Sequence, residues 1–424
     1  MKRMKISLLL HHAYGMGGTI RTVFNLAAAL AERHDVEIIS VFRYREHTRF
    51  DLGPQIRLTP LSDMRPGGDA AHPLHGKPAR SYPASDGRYM QHSRLTEKRI
   101  KEWLAGTDAD IVIGTRPGLN VLLARFAPQH VVRIGQEHLT HNSHRFALRT
   151  QLRNCYPQLD ALVTVTEADA EIYRQNMPRV RIAAIPNSVP RPTAGLSHGT
   201  APVVVAAGRL VPVKRFDQLV DAFAGVVRER PDWCLRIYGD GPERSCIQAR
   251  IDHHALHDHV TLMGTHTPMD AEWAKGSLAA VSSRSESFGM SIVEAMRCRL
   301  PVISTNCPLG PAEIIHDGTD GLLVPVNNPN AMTHALLSVI NDGQRRRQMA
   351  RAARENAQRF DPLRISARYE ELFTELLHTQ RMNHRHYGRN NLAAVGSHVA
   401  YATAEGLFRT ARRVGKMLQP REKA

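Results

Sequence analysis

Residues 203–217 read Val203-Val-Val-Ala-Ala-Gly-Arg-Leu-Val-Pro-Val-Lys-Arg-Phe-Asp217. The run 203–207 is short, continuous and apolar, as a strand covered on both faces must be. A glycine turn follows, and a helix opens near Phe216. Arg209 and Lys214 therefore fall at the carboxyl end of a parallel strand, the edge at which open α/β sheets bind ligands. Two fixed cations beside a helix N-terminus suit a diphosphate.

The same strand–turn–helix plan recurs in both directions. Downstream, strands are expected at 234–238, 260–263, 278–281 and 301–304, with helices at 216–230, 242–255, 288–297 and 311–316. Upstream, the apolar run 5–11 leads into Gly15-Met-Gly17-Gly18 and a helix over 19–33. Ile20, Val23, Phe24, Ala27, Leu30 and Ala31 recur there at helical spacing. Further strands are expected at 36–42, 109–114, 131–135 and 161–165, and helices at 95–105, 143–155 and 168–177. Strands alternating with helices imply parallel sheets covered on both faces.

The chain has 424 residues, more than one ordinary domain and enough for two of roughly 150–200 residues. The proline-rich run Ile185-Pro-Asn-Ser-Val-Pro-Arg-Pro reads as the linker. The expected divisions are a first domain at 1–188, a second at 202–360, a helix at 361–380 and a tail at 381–424. Residues 63–94 are rich in Gly, Pro, His and Arg and read as a mobile insertion.

With 42% apolar and 23% charged residues, the composition is globular. The net charge of +16 is unevenly placed. Residues 1–190 carry 26 basic and 17 acidic side chains, 191–379 equal numbers, and 380–424 nine and two. A neutral middle between two basic parts points the first half and the tail towards something anionic. Acidic lipid and nucleic acid are both candidates, as is solubility alone. No zinc-finger, basic-zipper or RNP signature accompanies the charge, so nucleic acid is not expected. The tail region 397–418 mixes Val399, Leu407, Phe408, Val414 and Met417 with Arg409, Arg412, Arg413 and Lys416. That pattern fits a helix lying in a lipid interface, or one packed on a protein surface. No apolar run has the length of a secretory signal core or a spanning helix, so the expected compartment is the cytoplasm. Five scattered cysteines without a CxxC pair read as reduced thiols.

A second motif is Ser285-Glu-Ser-Phe-Gly-Met-Ser-Ile-Val-Glu-Ala-Met296. Glu286 falls in a loop and Glu294 about two turns into the expected helix. Phe288, Gly289 and Met290 form its expected first turn, whose amides can donate to an anion or a sugar oxygen. Carboxylates are good acceptors for ligand hydroxyls. Taken singly, Glu286 reads more readily as a cap of its own helix and Glu294 as a surface charge than as ligand contacts.

Gly208-Arg-x-x-x-x-Lys, followed by Glu-x7-Glu around Ser-Phe-Gly-Met, resembles the retaining GT-B glycosyltransferases of family 4. The resemblance extends through Asp240-Gly-Pro-Glu, Gly264-Thr-His, Pro301-Val-Ile-Ser-Thr and Gly321-Leu-Leu-Val-Pro. In the first half it rests on Gly17-Gly18-Thr19, His138 and Ile185-Pro-Asn187. It covers about residues 4–380 and not the tail. It implies an α/β fold of two Rossmann-like doubly wound domains facing across a cleft, with a C-terminal helix crossing back to the first. It implies that Arg209 and Lys214 hold the donor diphosphate, Glu286 contacts donor-sugar hydroxyls and Glu294 accepts from the ribose. Phe288, Gly289 and Met290 would supply a backbone cradle. Gly239, Gly241, Gly264 and His266 would lie near the nucleobase and ribose. Gly17 and Gly18 would approach the diphosphate or acceptor, and His138 the transferred sugar. Many relatives carry an acidic residue soon after the paired glycines, whereas Thr19-Ile20-Arg21 follows here.

The implied reaction moves a hexosyl group from a nucleotide sugar, UDP-linked in preference to GDP-linked, to a hydroxyl with retention of configuration. The implied acceptor is a cell-envelope glycan, lipid or wall polymer, reached by a cytoplasmic protein with peripheral contact to an acidic membrane. No cofactor is expected, and no metal, because two cations meet the leaving charge. Glu137, beside His138, is a conceivable nucleophile for a double displacement. The clusters His138/His141/His144 and His253/His254/His257/His259 lack cysteine or carboxylate partners that would complete a zinc site. Rival readings are an epimerase or phosphorylase on the same fold, a dehydrogenase on a weak glycine signature, and a non-catalytic basic adaptor.

Overall fold

The computed structural model describes residues 3–386. These divide into two compact units, one of Met1–Ile185 with the chain from Ser366 onward, the other of Pro186–Ile365. The amphipathic helix expected at 397–418 lies outside the described residues.

The first unit begins with β1 (Lys5–His12), α1 (Gly18–Ala31), β2 (Asp35–Arg43), β3 (Arg57–Asp63) and α2 (Arg94–Gly106). It continues through β4 (Ile111–Gly114), α3 (Pro117–Phe126), β5 (Val132–Glu137), α4 (Phe146–Cys155), β6 (Ala161–Thr164), α5 (Glu167–Asn176) and β7 (Ile182–Ala184). All seven strands are parallel, in the order β3-β2-β1-β4-β5-β6-β7. The order reverses between β1 and β4, which opens a crevice beyond their carboxyl ends. Helix α1 buries Ile20, Val23, Phe24, Ala27 and Leu30, the stripe expected from spacing. Helix α2 starts at a capping box formed by Ser93 and Thr96.

Within the stretch 63–94, expected to be mobile, residues 70–78 are mostly exposed but much of 79–93 is packed into the unit. Ala79, Tyr82, Ala84 and Tyr89 belong to the core of the unit. Tyr82 lies against Gly118 of α3, where any side chain would collide with its ring. The Glu97 carboxylate accepts the amides of Arg80 and Ser81 at 2.6 and 2.7 Å. Glycines and prolines dominate the composition, but a few buried aromatics and one carboxylate decide the packing.

The second unit contains β8 (Val203–Ala207), α6 (Phe216–Glu229), β9 (Cys234–Tyr238), α7 (Arg244–His253), β10 (Val260–Gly264) and α8 (Asp270–Trp273). Then come β11 (Leu278–Val281), α9 (Met290–Arg297), β12 (Val302–Thr305), α10 (Pro311–Ile314), β13 (Gly321–Val324), α11 (Pro329–Ile340) and α12 (Gly343–Asn356). Its six strands are parallel, in the order β10-β9-β8-β11-β12-β13, and reverse between β8 and β11. Helix α13 (Pro362–His386) starts in this unit and continues in the first. Buried Arg297 ties entry and exit together. Its guanidinium donates to the carbonyls of Pro190 and Ala357 at 3.1 and 3.3 Å and to the Asp361 carboxylate at 3.1 Å. The Val189 amide donates to the Phe360 carbonyl at 3.0 Å.

Among the described residues no helix is long and apolar enough to cross a membrane. All five cysteines are free; Cys155, Cys298 and Cys307 are buried, and Cys246 is exposed.

Candidate active site

In the second unit the two sequence motifs meet at the sheet's switch point. One loop leaves β8, the other leaves β11, and the neighbouring strands β8 and β11 set them side by side. Lys214 Nζ lies 2.6 Å from Glu286 Oε1, which also accepts the Ser283 hydroxyl at 2.7 Å. The loops are stitched by backbone as well. The Arg284 amide donates to the Val213 carbonyl at 2.8 Å, and the Ser282 hydroxyl to the Lys214 carbonyl at 2.9 Å. A cation and a carboxylate are thus held in contact at a ligand-binding edge, each able to exchange its partner for a ligand group.

The glycine loops join the same edge. The Gly208 amide donates to Tyr238, Leu210 to Asp240, and Gly239 to Gly264, at 3.0, 2.9 and 2.8 Å. Gly239 has φ +137°, and a side chain on it would strike the Gly208 carbonyl, so only glycine lets the loops after β8 and β9 approach this closely. His266 packs edge-on to Tyr238, with ring centroids 5.3 Å apart. The Tyr238 hydroxyl donates to Glu272 at 2.7 Å, and burial and that carboxylate push it up to about 12. Arg209 is exposed and makes no side-chain hydrogen bond or ion pair among the described residues.

The helix expected from Phe288 begins at Met290. Gly289 has φ +117°, in the left-handed region, and caps the helix rather than entering it. Phe288 is buried edge-on to Phe360, so its backbone, not its ring, belongs to the loop. The later start leaves Glu294 about one turn into α9 rather than two, still half-buried.

Sequence reasoning missed two neighbours of this pair. Ser283 carries no motif of its own. Buried Cys307 follows β12, and burial with nearby Glu286 pushes its thiol up to about 12. A polar or thiol residue just past a strand end was the available signal.

In the first unit, His138 stands just beyond β5 and Gly17–Gly18 just beyond β1. Side chains on Gly17 or Gly18 would meet nothing within 4 Å, so both border open space at the start of α1. His138 Nε2 lies 3.0 Å from Gln136 Oε1, whose Nε2 donates to the Tyr369 hydroxyl at 2.7 Å. Burial, aided by the Arg116 guanidinium, lowers His138 to about 4, so the ring is neutral near pH 7. Burial, with Arg116 as a lesser cause, likewise disfavours charge on His11, His12 and His92, which lie around the ends of β1 and α2.

Glu137 is not presented for nucleophilic attack. Strand alternation turns it away from Gln136 and into the interior. There it accepts from the Tyr156 hydroxyl and, at 3.2 Å, from Asn120, and His144 Nε2 lies 3.5 Å away. Its side chain is 0% exposed. Among the described residues no group of three or more His, Cys, Asp or Glu side chains is placed to hold a metal. His254 pairs with Asp221 at 2.9 Å, and His144 with Glu137.

Residues 193–356 match the sequence model of the glycosyl transferases group 1 family, and residues 16–191 that of glycosyltransferase family 4. The chain belongs to the GT-B glycosyltransferases: each of its two Rossmann-like units carries one of these models. It is 34% identical over 391 residues to an exopolysaccharide phosphotransferase of Streptomyces coelicolor, a match covering 88% of this chain and 41% of that protein. It is 28% identical over 199 residues to the poly(ribitol-phosphate) alpha-N-acetylglucosaminyltransferase of Staphylococcus aureus, covering 47% of this chain and 40% of the relative. The chain thus matches about two fifths of the length of these relatives. Its fold is similar to that of Staphylococcus aureus TarM, solved with UDP and alpha-GlcNAc-glycerol. That likeness has TM-score 0.72 and 16% identity, and covers 87% of this chain and 99% of TarM.

Proposed function

We propose that the chain transfers a hexosyl group from a nucleotide sugar to a hydroxyl of an envelope glycan, lipid or wall polymer, with retention of anomeric configuration. The observation that carries this reading is the Lys214–Glu286 contact at the β8/β11 switch point. On donor binding, Lys214 turns from the carboxylate to the diphosphate, joined by Arg209 and the amides at the start of α9. Glu286, released from Lys214, accepts from donor-sugar hydroxyls. Glu294 accepts from the ribose, and His138 engages the transferred sugar.

The acceptor oxygen attacks the anomeric carbon on the face from which the diphosphate leaves. The bond to the diphosphate oxygen breaks, and the acceptor proton passes to that oxygen. Charge growing on the diphosphate is met by Arg209, Lys214 and the helix amides, groups fixed before the reaction begins. UDP is favoured over GDP by the family resemblance. The basic first half and the poly(ribitol-phosphate) relative favour a phosphate-bearing or envelope-linked acceptor. The basic tail favours peripheral contact with acidic lipid from the cytoplasmic side.

The test is a screen of nucleotide sugars by thermal shift, followed by hydrolysis and transfer assays with the donor that stabilises the protein. Glu286→Gln with the fold intact should lose turnover. Unchanged turnover in that variant would refute the role given to Glu286, absence of turnover with every donor would favour the adaptor reading, and donor hydrolysis without transfer to any acceptor the epimerase or phosphorylase reading.

A further inference from the structure

The polar chain that reaches His138 starts far away in sequence. Gln136 is 1% exposed, so both ends of its amide need partners inside the protein. One end is held by Tyr369 and the other meets His138. Tyr369 is also 1% exposed, and Gln136 is the partner of its hydroxyl among the described residues. A buried hydroxyl without a partner is costly, so Tyr369 and Gln136 fix one another.

Helix α13 is itself held in place around this contact. Neighbouring Glu370, 4% exposed, lies 3.2 Å from Arg33 and 3.3 Å from His34 at the end of α1. Arg368 donates to the Ala184 carbonyl at 2.6 Å. The helix therefore delivers the Tyr369 hydroxyl at a set depth.

We infer that Tyr369 is a positioning residue for the reaction, acting through Gln136 to orient the imidazole of His138. Gln136 Oε1 can only accept, so His138 Nε2 carries the proton and Nδ1 keeps its lone pair. Nδ1 makes no hydrogen bond among the described residues. The ring thus offers an acceptor suited to a hydroxyl, such as one on the donor sugar. Without the Tyr369 hydroxyl, the Gln136 amide loses its anchor and turns to find another partner. The imidazole then loses both its tilt and its fixed tautomer. This inference rests on the role proposed above for His138.

The test is a double-mutant cycle on the full chain, measuring kcat for donor turnover alongside UDP affinity. Tyr369→Phe and Gln136→Met should each lower kcat about 10- to 100-fold, the scale for a misplaced reacting group. UDP affinity should stay within about twofold, since neither residue is assigned to the nucleotide. In a His138→Ala background, Tyr369→Phe should cause no further loss. Glu375→Ala, on the same helix as Tyr369, breaks an exposed ion pair with Arg181 beside β7 and should leave kcat unchanged. Full turnover in Tyr369→Phe, or a loss that multiplies that of His138→Ala, would overturn the inference while sparing the role of His138. Full turnover in His138→Ala itself would overturn both.

Discussion

Replacing Lys214 by Met separates what the ion pair does for stability from what it does for catalysis. The two side chains are 22% and 11% exposed, between a surface pair and a sealed one. Removing the cation leaves the Glu286 carboxylate with the Ser283 hydroxyl as its hydrogen-bond partner. A charged group stripped of one partner at that depth costs about 1–3 kcal/mol. For a unit of this size each kcal/mol moves Tm by roughly 2–4 °C. Catalysis should suffer more. Losing one group that meets leaving-group charge costs about 10²–10³ in kcat, or about 2.7–4 kcal/mol. The two effects part in the double variant Lys214→Met/Glu286→Gln. There no stranded carboxylate remains, so Tm should recover most of its loss while kcat stays low. Melting curves and labelled-donor turnover measure both quantities on one preparation. Turnover of Lys214→Met within threefold of the parent, or recovery of kcat in the double variant, would refute the reasoning.

Gly239→Ala should destabilise the second unit by about 1–3 kcal/mol and weaken nucleotide binding, because the new methyl meets the Gly208 carbonyl at a positive φ; denaturant melts and UDP titration read both. Acid should loosen the first unit. Buried His92 is lowered from 6.5 to about 3, chiefly by burial, so the unfolded chain takes up a proton that the folded chain refuses. Its stabilising effect is complete above pH 6.5 and is lost as pH falls towards 3, by up to about 1.4 kcal/mol per pH unit. His92→Gln should flatten that slope in urea melts run between pH 7 and 4. Removing residues 387–424 should leave donor turnover intact and reduce retention on acidic vesicles, scored by co-sedimentation.

Much of the fold could be read from residue order. Continuous apolar runs such as 203–207 gave the buried strands, and the spacing in 20–31 gave the inner face of α1. The Glu286 and Lys214 loops could be placed because both follow such runs. Other features had weaker local signals. β7 is three half-buried residues, and the strand propensity of Ile182–Ala184 is set by its neighbour β6. The packing of 63–94 depends on Tyr82 finding a gap at Gly118, a contact that composition does not encode. Gly289 delayed the start of the expected helix because a glycine can enter or cap a helix, and the surrounding loop chooses. The Gln136–Tyr369 contact spans 233 positions, and no periodicity reaches that far.

Arg297 gathers the carbonyls of Pro190 and Ala357 and the carboxylate of Asp361 at one spot, so the second unit's entrance and exit share a doorway. A module whose ends are joined this way can be lifted out as a cassette. Grafting the 186–365 segment of one family member onto the remaining chain of another carries the arginine and its three oxygen partners together, and under the donor role proposed for this unit it should change which nucleotide sugar is consumed.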